Sequence, residues 1–131
     1  MYKRQALDYY NQALAKDKDY FEVLYMAGAL RFNMGVQIAA ERDALDFNDE
    51  KNYDRLNVEF KKYLSEAFPF FVKAEQINPK DISTIVALKE CYAQANKLEH
   101  SKAFKERMQT LQEDSNAELK AYGSHPEKIF D

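Results

Sequence analysis

The chain has 131 residues, 46% of them hydrophobic, and a formal charge of −3 from 19 basic and 22 acidic side chains, one domain's worth of material with enough apolar residues for a core. Three Gly and three Pro are too few for the turns of an all-β protein, and the basic residues gather no further than doublets such as Lys61-Lys62, so an all-α protein that does not bind nucleic acid is expected. The longest apolar stretches, Val23 to Leu30 and Ile82 to Leu88, fall well short of the roughly 20 residues that cross a bilayer, and membrane insertion is not expected.

Residues 1–5, Met-Tyr-Lys-Arg-Gln, resemble the translation of a sequencing-library adapter. They are read as a non-native scar, which makes the chain the expected C-terminal end of a longer protein. A first helix is predicted over 6–16, with Ala6, Leu7, Tyr10 and Ala13 on its apolar face. It reads as the second half of a hairpin whose first helix lies outside the chain, so self-association through this face is expected. A second helix is predicted over 20–46. The turn signal Asp46-Phe47-Asn48-Asp49 follows, with Asn48 as the expected N-cap of a third helix.

In that helix Tyr53, Leu56, Phe60, Tyr63, Ala67, Phe70, Ala74 and Ile77 alternate steps of three and four and predict one buried stripe. Pro69 lies inside it and costs about 3 kcal/mol in a straight helix, so a kink near Ser65 to Pro69 is expected. A fourth helix over 82–96 is capped by Asp81 and ended by Asn96, and a fifth follows over 98–112. The tail, 113–131, is expected to stay helical to about Ala121, where Gly123-Ser124-His125-Pro126 stops it.

Two segments follow one plan. Ala6, Tyr10, Ala13 and Lys18 recur as Ala67, Phe71, Ala74 and Pro79, each 61 residues later (67−6, 71−10, 74−13, 79−18). The helices after them agree in part, with Leu24 and Ala27 falling on Ile85 and Leu88. This pattern resembles the tetratricopeptide repeat, whose large-x2-Leu-Gly-x2-Tyr, Ala-x3-Phe and Pro positions are met by Ile85, Leu88 and Tyr92, then Ala67, Phe71 and Pro79. The resemblance implies a superhelix of antiparallel helix hairpins. A standard repeat has about 34 residues, so roughly 27 extra residues (61−34) would lengthen the middle hairpin. The implied organisation is a half repeat at 6–19, an expanded repeat at 20–81 and a repeat at 82–112.

The long middle hairpin and the Ala67-Phe68-Pro69 motif resemble a group of repeat proteins common in the Bacteroidetes, many of them exported. Periplasm or cell envelope is therefore favoured over cytoplasm. Departures from the repeat pattern are Lys18 for Pro, Arg31 for Tyr and Lys89 for Gly, with Ser101 and Lys105 where Ala and Phe would stand in the last helix. The final hairpin then reads as a polar capping unit.

No catalytic constellation, metal site or cofactor is expected. His100 and His125 lie 25 residues apart (125−100) and read as surface residues, and Cys91 reads as a small buried hydrophobe. The resemblance implies instead a non-enzymatic scaffold that holds a protein or peptide segment in a concave groove formed by the first helix of each hairpin. The residues expected to line it are Glu22, Tyr25, Ala29 and Phe32 on one helix and Ser83, Val86, Glu90 and Ala93 on the next. Tyr25 and Phe32 are the expected anchors. Two rival readings are a structural coiled coil built on the heptad-like steps from Tyr53 to Ile77, and a helical accessory part of a larger enzyme.

Overall fold

The structure, a computed structural model, describes residues 2–131. Five helices follow in order: α1 (Tyr2–Lys16), α2 (Phe21–Asp43), α3 (Glu50–Ile77), α4 (Ile82–Gln94) and α5 (Leu98–Glu113). Each packs on the next in sequence. No strand occurs among the described residues, and no helix there is long and apolar enough to cross a membrane. α1 begins at Tyr2, so residues 2–5, read as a scar, lie inside a helix, and Lys3 donates to Gln37 of α2 at 2.6 Å.

The 61-residue offset is built into the backbone. α1 ends at Lys16 and α3 at Ile77, while α2 begins at Phe21 and α4 at Ile82 (77−16 and 82−21 both give 61). The turns between them share their backbone bonds and an Asx side-chain bond, though the second adds a cap from the Asp81 side chain to Thr84 that Tyr20 does not make. Asp17 N donates to Ala13 O and Tyr20 N to Asp17 O, as Asn78 N does to Ala74 O and Asp81 N to Asn78 O. The side chains of Asp17 and Asn78 each accept the backbone N–H two residues on, from Asp19 and Lys80. An Asx side chain that mimics a turn in this way fixes the reversal. It makes Pro79 dispensable at the next position, which is why Lys18 serves at the first turn.

A third copy of the turn closes α5. Asp114 N donates to Thr110 O, Ala117 N to Asp114 O, and Asn116 N to the Asp114 side chain. It lies 36 residues after the second (114−78), not the 34 of a standard repeat. The alignment that set Ser101 and Lys105 as departures at the repeat's Ala and Phe positions is therefore two residues out of register with the turns. Ala103 and Arg107 hold those places, and the small residue is kept as Ala6, Ala67 and Ala103.

No helix follows the third turn. Only five residues separate Ala117 from Gly123, too few to repay helix nucleation. The helix expected to run to about Ala121 stops at Glu113, and 114–131 continues without helix.

α2 and α3 form the long hairpin, joined through 44–49. Asp49, not Asn48, caps α3, its side chain accepting from Asn52 N at 3.4 Å. α3 is continuous through Pro69. Its interior is wider than the single predicted stripe. Leu56, Phe60, Ala67 and Ala74 are buried as expected, but Tyr53 and Ile77 are exposed, and Leu64, Phe68, Phe71 and Glu75 form a second buried row. α3 has neighbours on two sides, so one stripe does not suffice.

Close approach to α2 is possible because Gly28 has no side chain. A Cβ there would stand 2.8 Å from the Phe71 ring, which also packs on Tyr25 and Phe32 with centroids 5.8 and 6.4 Å away. Asp81 caps α4 as expected, accepting from Thr84 N at 2.9 Å. Asn96, at φ 59°, ends α4 in the left-handed conformation, with Lys97 N bonded back to Tyr92 O.

Ala67 and Ala74 are fully buried, whereas Ala93 is exposed. Ala67→Leu and Ala74→Leu are expected to lower the unfolding free energy by about 1–3 kcal/mol through overpacking, and Ala93→Leu by less than about 0.5 kcal/mol. Urea unfolding of the three variants checks this.

Candidate functional site

The residues expected to line a groove remain on two separate helices. On α2, Glu22 is exposed, while Tyr25, Ala29 and Phe32 are half-buried against the core, the two aromatics resting on Phe71. On α4, Ser83 and Ala93 are exposed and Val86 and Glu90 half-buried, with Glu90 3.4 Å from Lys89. None of these side chains hydrogen-bonds across from one helix to the other. A pocket of about 340 Å³ lies along α1, lined by Tyr9, Gln12, Ala13, Lys16, Asp17 and Tyr20.

A denser arrangement forms where sequence reading expected only surface. Glu75 of α3 is fully buried, and its carboxylate accepts three donors. Tyr122 N approaches Oε2 at 2.8 Å, His125 Nε2 approaches Oε1 at 3.0 Å, and the Arg107 guanidinium is 3.5 Å from Oε2. The other ring nitrogen of His125 meets the hydroxyl of Tyr92 on α4. Arg107 also donates to Lys120 O, and His100 Nδ1 lies 3.0 Å from the Tyr122 hydroxyl.

The rings close over this network. His100 stacks on Tyr92 with centroids 4.8 Å apart, and Tyr122 packs edge-on against Phe104 at 4.9 Å. Further along, Ile129 is buried, and Phe130 packs edge-on against Phe60 at 6.3 Å, with the Lys61 ammonium 5.6 Å from its ring centre. Both histidines are thus structural, and their expected place on the surface is corrected. The His125 side chain is 6% exposed.

Burial pushes the Tyr92 phenol well above its ordinary range, with the acidic groups of Tyr122, Cys91 and Glu75 adding to the shift. A neutral Tyr92 hydroxyl donates to His125 Nδ1, which leaves Nε2 carrying the proton given to Glu75. Tyr92, His125 and Glu75 are aligned as nucleophile, base and acid would be. The hydroxyl is fully buried, however, and Tyr92 does not line the neighbouring cleft of about 420 Å³ that His125, Tyr122, Lys73 and Gln76 help to form. The alignment holds the tail and offers no reachable nucleophile.

The register of the three turns marks Glu75 in the sequence, where the apolar period does not. Three residues before each Asx stand Leu14, Glu75 and Leu111; seven before stand Tyr10, Phe71 and Arg107. Glu75 replaces a repeated leucine and Arg107 a repeated aromatic, and the two departures meet in space.

Cys91 is fully buried and free, and its thiol is pushed up to about 12, first by burial and then by Glu90. In the unfolded chain the thiol ionises near its ordinary 9.0, so between about pH 9 and 12 the unfolded state binds fewer protons than the folded one. Stability is fully present below pH 9 and falls as pH rises through this window. Tyr92 acts in the same direction from its ordinary 10.0 upward. Urea midpoints measured from pH 8 to 11 should decline, and less steeply in Cys91→Ala.

Among the described residues no group of three or more His, Cys, Asp or Glu side chains is disposed to hold a metal ion. No protein-family model, curated protein or solved structure matches the chain.

Proposed function

We propose that the chain is a non-enzymatic scaffold of tetratricopeptide type, in which α2 and α4, the first helices of consecutive hairpins, form a concave groove that holds a peptide or protein segment. The observation that carries this reading is the recurrence of the turn at Asp17–Tyr20 in the turn at Asn78–Asp81, with the same backbone and Asx bonds, which supports reading α2 and α4 as equivalent elements of one repeating plan. Repeats stacked on such a plan give extended binding surfaces.

The proposed lining supports the same reading. Tyr25, Ala29, Phe32 and Val86 give a half-buried apolar floor, and Glu22, Ser83 and Glu90 a polar rim, the anatomy of a protein interface. The coiled-coil alternative has less support, because Leu56, Phe60, Ala67 and Ala74 of its seam are already buried within the chain.

Selection of a displayed peptide library on the full chain tests the proposal. Selected peptides should bind at least tenfold more weakly to Glu22→Arg and Ala93→Arg, both substitutions at exposed positions. Unchanged affinity in both variants would remove the groove from the account.

A further inference from the structure

The tail runs through a valley on the far side of α4 from the proposed groove. At 3.6 residues per turn, Tyr92 points away from Ser83, Val86, Glu90 and Ala93. Tail residues meet Arg107, Phe104 and His100 of α5, then Glu75, Phe68 and Phe60 of α3, over Tyr92 of α4 as the floor. It is a peptide without helix lying between two second helices, in a chain whose other segments of comparable length are all helical.

We propose that this valley is a peptide-recognition site in its own right, that the C-terminal tail is its resident ligand in cis, and that it takes in trans a non-helical segment of the same chemistry. That chemistry is an aromatic hydroxyl, a His three residues on, and an Ile-aromatic pair seven and eight residues on (Tyr122, His125, Ile129, Phe130).

The argument rests on Glu75. A fully buried carboxylate must be met by donors or it costs several kcal/mol. Within the helices it has only the distant guanidinium of Arg107 at 3.5 Å; the closer donors, at 2.8 and 3.0 Å, are a backbone N–H and a ring N–H of the tail. The same repeat position is Leu14 in α1 and Leu111 in α5, so the fold has no need of an acid there. The acid is explained by what lies across the valley from it. The bond from Tyr122 N is a main-chain bond, which a peptide of any sequence can supply, while His125 and the Ile129-Phe130 pair give selectivity through side chains seated on Tyr92 and Phe60. This site is separate from the α2 and α4 groove, and the two proposals stand or fall independently.

The test uses the full chain with a protease recognition sequence inserted after Glu118, which is exposed, and cleaved after folding. The probe is a fluorescent synthetic peptide of residues 119–131. Expected are retention of the helical circular dichroism after cleavage, and saturable exchange of the severed tail for the labelled peptide. Binding should be at least tenfold weaker for a peptide carrying Tyr122→Ala and His125→Ala, and at least tenfold weaker to the uncut chain, whose tail fills the site. Loss of helix on cleavage would make the tail an inseparable part of the core and overturn the proposal. So would a failure of the peptide to bind the cut protein, or equal binding of the double-alanine peptide. Binding of library-selected peptides at the α2 and α4 face of the uncut chain is unaffected by any of these outcomes.

Discussion

Glu75→Ala is expected to lower the unfolding free energy by about 3 kcal/mol, among the largest effects of any single substitution outside the apolar core. The carboxylate is fully buried and accepts from Tyr122 N, His125 Nε2 and Arg107. Removing it leaves those donors without their acceptor, and an unmade buried bond costs about 1–3 kcal/mol each. Glu75 and His125 belong to one network, so their effects should not add. In a double-mutant cycle His125→Ala should cost about 1 kcal/mol less in the Glu75→Ala background than alone. Urea unfolding of the four proteins measures this; a loss under about 1 kcal/mol for Glu75→Ala, or strict additivity, would show that the network does not hold the tail.

Tyr92 is the second such position. It is fully buried, stacks on His100, packs edge-on against Phe68 with centroids 5.4 Å apart, and gives its hydroxyl to His125. Tyr92→Ala should therefore cost about 3–5 kcal/mol, the range for a large aromatic truncated in a core. Tyr92→Phe keeps the ring and removes only the donor, leaving His125 Nδ1 a buried acceptor without a partner, for about 1–2 kcal/mol. Amide exchange at Tyr122 should speed up in both variants. A Phe variant as stable as the parent, with Tyr122 still protected, would mean that the hydroxyl bond contributes nothing to tail docking.

The helices could be read from the sequence because their causes are local. Asp81 lies where an N-cap must, Asn96 where a left-handed residue ends a helix, and the Ala, aromatic, Ala spacing appears at two places 61 residues apart. The Asx turns are equally local, but Asp17, Asn78 and Asp114 carry no apolar period, and the third turn precedes no helix. Their register, rather than the apolar period, sets the last hairpin and reveals Glu at position 75 where the other copies carry Leu.

The tail was illegible for a different reason. Its partners lie far away in sequence, 47 residues for Tyr122 with Glu75 and 50 for His125 with Glu75. No periodicity records such contacts. A histidine between Ser124 and Pro126 looks like any loop residue until Glu75 is set opposite it. The groove residues fall between these cases. Exposure along α2 and α4 follows from helical phase, but Tyr25 and Phe32 turned partly inward because Gly28 lets the Phe71 ring come between the helices.

The proposed function is that of a helical-repeat scaffold gripping a peptide between its first helices. Titration of the isotopically labelled full chain with library-selected peptides, followed through backbone amide shifts, tests that most directly. Saturable shifts are expected to cluster at Glu22, Tyr25, Ala29, Phe32, Ser83, Val86, Glu90 and Ala93, with the amides of α5 unmoved. Saturable shifts elsewhere that leave both helix faces unchanged, or no peptide that binds at all, would contradict it.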